Sequence, residues 1–84
     1  MAAADVHTAE VEENTVPLPE SEEAKDPHRF AFICRQHEGE EHLGKVEGIE
    51  KGSITGEILY RVRYEDGDLE HFTLDELLPL IVPV

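Results

Sequence analysis

Cysteine is nearly absent from this chain, tryptophan is missing, and basic residues are few. The single cysteine, Cys34, excludes an intramolecular disulfide, so the fold must stand on its core alone. Cysteine usage of this kind predicts a reducing, intracellular compartment, nucleus or cytoplasm. Seven Lys and Arg against 20 Asp and Glu leave a net charge of −13. Proteins that grip a phosphate backbone gain affinity by releasing counterions with Lys and Arg, so no direct nucleic-acid binding is expected. A basic protein partner suits such a charge better. No apolar run approaches the roughly 18 residues of a membrane span. The longest candidate, Leu74–Val84, contains two acids and two prolines. The start of the chain lacks the basic and apolar runs of a secretory signal. Motifs for phosphate, acyl or glycosyl chemistry are missing as well, so neither an enzyme nor a cofactor is expected.

What is present divides into two parts. Eight of the 20 acids lie in residues 1–27 against one basic residue, Lys25, and the apolar residues there keep no helix or strand period. Such a stretch buries too little surface to offset its ordering entropy, which predicts a disordered acidic tail over 1–27. It serves either as a solubilising tail or as one that meets a partner or masks the domain itself. Residues 28–84 alternate as strands. His28–Arg35 places Phe30, Phe32 and Cys34 on one face and Arg29, Ala31, Ile33 and Arg35 on the other; Cys34 reads as a buried thiol rather than a nucleophile. After a charged loop over Gln36–Glu41, His42–Lys51 forms a second strand whose Gly44 and Gly48 suggest strong bending or a bulge. Ile58, Tyr60, Val62 and Tyr64 alternate most clearly. Asp66-Gly67 then fits a two-residue type I′ turn, pairing Arg63 with Glu70, Tyr64 with Leu69 and Val62 with His71. Thr73 suits an N-cap for one helical turn that Pro79 stops, and Leu80–Val84 suits a short closing strand. The elements describe an all-β, small, strongly bent, five-stranded antiparallel barrel with one helical turn before its last strand.

Leu43-Gly44-Lys45-Val46-Glu47-Gly48-Ile49, Tyr60-Arg61-Val62-Arg63-Tyr64-Glu65-Asp66-Gly67-Asp68-Leu69-Glu70 and Thr73-Leu74-Asp75-Glu76-Leu77-Leu78 follow one another in an order that resembles a Tudor-type domain, an SH3-like barrel of the Royal family. The resemblance spans roughly residues 29–82. It implies a reader that holds a methylated Lys or Arg by cation–π attraction. Carried onto this chain, the third-strand aromatic falls on Tyr64 and the acid of the following turn on Asp66. The end of the first strand falls on Arg35, the start of the second on His42, and the residue after the turn glycine on Asp68. The partner so implied is a basic segment, methylated or unmodified, such as a histone tail, met by a monomer.

Each candidate has a plainer reading. Tyr64 also serves as a packing aromatic, and Asp66 is first a turn residue. Glu65, Asp66, Asp68 and Glu70 form either a solvated hairpin tip or a docking rim for Lys and Arg. Cys34, His37, His42 and His71 do not follow a structural-zinc spacing, and the run from Asp66 has His71 where a calcium loop needs glycine. The expected function is a non-catalytic interaction module for a basic peptide; the alternative is a structural subunit or adaptor with no methyl-binding cage.

Overall fold

The long strand β3 (Glu40–Gly52) is the spine of the molecule. The computed structural model describes residues 14–83, which form one antiparallel sheet of five strands. One edge of β3 pairs from Gly44 to Lys51 with β4 (Ile58–Tyr64), which pairs in turn with β5 (Leu69–Thr73). The other edge is shared: β2 (Phe32–His37) takes its first half and β1 (Thr15–Pro17) its end. A bulge shifts the β3–β4 register between Val46 and Gly48. The extra residue lets Val46 and Ile49, three positions apart, both face inward. Val46 and Ile49 are fully buried with Ile33, Val62 and Leu77; Tyr60, Tyr64 and Phe72 complete the core. Each such burial contributes roughly 1.5–3 kcal/mol.

The fold begins earlier than composition predicts. Of the expected tail, residues 1–13 lie outside the described residues, but the rest is tied down. β1 pairs with β3, and Glu20–Glu23 make a helical turn, α1. The gap between β2 and β1 is the reason. Pairing with β2 stops at Lys45 and pairing with β1 starts at Glu50, and the β3 backbone groups on that edge between them need other partners. Glu23 Oε2 accepts from Ile49 N–H (2.8 Å), and Arg29 Nη1 donates to Val46 C=O (3.2 Å). Arg29 Nε and Glu23 Oε1 are themselves paired at 2.9 Å. This strap is held by polar bonds, so a hydropathy argument does not see it.

Two corrections concern faces and turns. β2 alternates as expected, but its buried side carries Ile33, while Phe30 and Phe32 are exposed and Cys34 half-buried. The register explains this: Ile33 lies opposite Gly44 on the inner face, and Phe32 and Cys34 lie opposite Lys45 and Leu43 on the outer one. Both rings instead attract cations: Arg29 stands 4.5 Å from Phe30, and Lys45 stands 5.4 Å from Phe32. The type I′ geometry sits in the other hairpin. Glu38 and Gly39 both have positive φ and join His37 to Glu40 in two residues, where a longer charged loop was expected. Between β4 and β5 only Gly67 has positive φ. Tyr64 N–H donates to Asp68 C=O, and Gly67 N–H to Tyr64 C=O. The loop is therefore three residues, Glu65-Asp66-Gly67, a turn closed by a left-handed glycine. One extra residue moves every pair by one place: Val62 faces Glu70 and Arg63 faces Leu69.

Thr73 caps α2 (Leu74–Leu77) in a reciprocal capping box with Glu76. Leu78–Leu80 then form a 3-10 turn rather than strand. The closing strand shrinks to one bridge, Ile33 with Ile81, and a hydrogen bond from Val82 N–H to Phe32 C=O (2.8 Å). The sheet is bent but not closed into a barrel by strand pairing.

Candidate functional site

The inner face that forms the core does not stay apolar to its end. Toward the two hairpin tips the same alternation delivers Arg35 on β2, His42 on β3, Tyr64 on β4 and Glu70 on β5. These four side chains, with His37, Asp66, Asp68 and Leu69, line an open depression of about 280 Å³. All five residues singled out from the sequence (Arg35, His42, Tyr64, Asp66 and Asp68) are brought together here.

Glu70 organises the site. The register shift takes it away from Arg63, its expected partner, and turns it inward, where its Oε1 accepts from Arg35 Nη1 (2.5 Å) and from the Tyr64 hydroxyl (2.8 Å). Arg63 pairs instead with Glu47 on the outer face, at 3.0 Å. Burial, and next the bond to Glu70, push the Tyr64 hydroxyl up to about 12, so it stays a neutral donor at physiological pH. The Tyr64 oxygen and then Glu70 raise the Arg35 pKa further. Gly44 makes room for the ring: a Cβ there would lie 2.7 Å from Val62 Cγ1 and 3.0 Å from Tyr64 Cδ1. His42 meets Tyr64 edge-on, with ring centroids 6.5 Å apart. Asp66 Oδ1 accepts from Asp68 N–H (3.0 Å), which orders the tip and leaves both carboxylates exposed.

Electrostatically, Arg35 is already matched by Glu70, and Asp66 and Asp68 have no cationic partner among the described residues. The chemistry available is attraction and hydrogen bonding of a cationic group. Tyr64 as a residue is 9% exposed, so little of its ring face is open to a methylammonium. The outer face differs. There Glu47 and Glu50 pair with Arg61, Arg63 and His71, and Glu50 also accepts from Thr15. Its charges are spent on one another. Among the described residues no three His, Cys, Asp or Glu side chains are grouped to hold a metal ion. No described helix is long and apolar enough to cross a membrane.

His37 belongs to the depression but was not singled out, and Glu70, expected on an acidic docking rim, was not expected to turn inward onto Arg35 and Tyr64. Glu70 was readable only with the correct hairpin register, and His37 only once Glu38-Gly39 is known to turn tightly. Compared with known proteins, the chain matches no family model, no curated protein and no solved structure.

Proposed function

We propose that this protein is a non-catalytic interaction module, Tudor-like in the order of its strands, that takes a basic protein segment at the polar end of its sheet. The observation that supports the reading is the pairing of Arg35 with Glu70 beside two unpaired carboxylates, Asp66 and Asp68, in one depression. A Lys or Arg entering there meets net negative charge and the polar edges of Tyr64 and His42. With one largely covered tyrosine ring, charge rather than methylation carries most of the affinity. Histone tails are one class of such segment, in nucleus or cytoplasm. The test is an amide-shift titration with Lys- and Arg-rich histone-tail peptides, unmodified and methylated, at two salt concentrations. Saturable shifts clustered at Arg35, His42, Tyr64, Asp66 and Asp68, weakening with salt, support the reading. No saturable shift there overturns it.

A second reading, a structural subunit or adaptor, is favoured by the outer face of β2 and β3. Phe30, Phe32 and Leu43 are 63, 46 and 45% exposed and adjoin Lys45. Shifts confined to that face on adding a partner would favour it.

A further inference from the structure

We infer that the basic segment enters as an added β-strand along the free edge of β5, an inference that rests on the basic-segment reading above. Hydrogen-bonded pairs alternate along an antiparallel ladder. Tyr64 N–H bonds Asp68 C=O, so the pairs Val62–Glu70 and Tyr60–Phe72 also exchange their backbone groups. Asp68, Glu70 and Phe72 thus spend N–H and C=O on β4, while Leu69 and His71 direct theirs away from it. Among the described residues no strand pairs with that edge. The Thr73 N–H is taken by the Glu76 carboxylate (2.9 Å), which ends the available stretch at His71. Across the depression Arg35 of β2 and Glu70 of β5 are joined by a side-chain ion pair, and among the described residues the two strands do not pair, so the sheet is left open beside the acidic residues.

Such an edge selects its occupant. A strand laid along Leu69 and His71 presents alternate side chains to opposite faces. One set points inward toward Asp68 and Glu70, where Lys or Arg is matched. The other set falls outside beside Leu69, which is 44% exposed, where a small or β-branched apolar residue packs. The geometry therefore calls for an extended peptide that alternates basic and apolar residues, held by main-chain bonds as well as charge. A peptide recognised by charge alone needs no such alternation.

The test uses the full 84-residue chain. The probe is a capped ten-residue peptide alternating Lys or Arg with Val or Thr, and a control peptide of the same sequence carries backbone N-methyl groups on alternate residues. The control keeps every charge and loses the strand-forming donors. If the inference holds, the control binds at least about tenfold more weakly, and the probe slows hydrogen exchange at the Leu69 and His71 amides. Leu69→Pro, which loses the outward N–H as well as the side chain, should weaken the probe well beyond Leu69→Ala, which loses the side-chain packing and keeps that N–H. Equal affinity of probe and control, with both amides still exchanging freely, overturns the added strand and leaves the charge-based reading standing. Binding of neither peptide overturns both.

Discussion

Tyr60 and Tyr64 stand four residues apart on β4, point to the same face, and each donates its hydroxyl to a carboxylate at 2.8 Å. Each also has an imidazole edge-on, His28 at 6.1 Å and His42 at 6.5 Å. The strand repeat supplies the same chemistry twice. What differs is the cover. The carboxylate for Tyr60 is Asp26, part of the strap that crosses the bulge and brings His28 and Arg29 with it. The carboxylate for Tyr64 is Glu70 of β5, joined to Arg35 of β2, and among the described residues they lie in an open depression between the two hairpin tips. The closed end is structure and the open end is the candidate site. Which is which is decided by the segment before β2, not by the tyrosines.

If the closed end carries the stability, truncation there should have the largest effect. Leu77, fully buried, seals the core from α2. Leu77→Ala should cost about 2–5 kcal/mol. A fold of this size holds only a few kcal/mol in total, so the variant should be largely unfolded in water by circular dichroism.

Glu23→Ala attacks the same end through its strap and should cost about 2–3 kcal/mol in denaturant unfolding, because it strands both the Ile49 N–H and Arg29. Burial alone would raise the Glu23 pKa. The bond from Ile49 and the Arg29 pair outweigh it, and the net shift is downward. A depressed carboxylate contributes stability that is present above its ordinary pKa near 4.5 and is lost as pH falls through the lowered value. Acid should therefore loosen the wild-type strap, and Glu23→Ala should flatten that part of the stability–pH curve.

The contrast between the two ends explains what sequence reasoning reaches. Alternation over Ile58–Tyr64, the bending at Gly48 and the Thr73 cap are local, and all are present. Hairpin register is not local in that sense. Asp66-Gly67 serves a two-residue turn and a three-residue loop equally, since both need a glycine with positive φ, and the difference moved Glu70 from Arg63 to Arg35 and Tyr64. The strap was illegible for another reason: its bonds join side chains to β3 backbone groups left without a strand partner between β2 and β1. The inward side of β2 was misjudged because exposed Phe30 and Phe32 rest against Arg29 and Lys45, a cost reduction that hydropathy does not count. The candidate residues came together regardless, since all of them lie near the hairpin tips and a shift of one residue does not move them to the other end.

A smaller effect separates the tyrosines themselves. Both hydroxyls are raised above the ordinary value of 10, by burial first and by the neighbouring carboxylate next, Tyr64 to about 12 and Tyr60 further. A tyrosine with a raised folded pKa contributes stability that is full below 10 and is lost as pH rises through the folded value. Ultraviolet titration of the folded chain, which has only these two tyrosines, should show little tyrosinate at pH 10. Tyr64→Phe should remove the earlier of the two ionisations. An ordinary titration near 10 for both would erase the buried, hydrogen-bonded setting assigned to each end.

The smallest effect on stability, and the most telling for the site, belongs to the open end. In Asp66→Asn/Asp68→Asn the amide of residue 66 still accepts the bond that orders the tip, and both side chains are exposed. Unfolding free energy should change by no more than about 0.5 kcal/mol. The depression, however, loses the two charges that Arg35 does not match, leaving Arg35 and Glu70 to cancel each other. Affinity for a Lys- or Arg-rich peptide should fall, and the remaining binding should lose most of its salt dependence, because screening acts on net charge that is no longer there. An unchanged affinity in this fully folded variant would mean that the polar end, like the end closed over Tyr60, is structure rather than site.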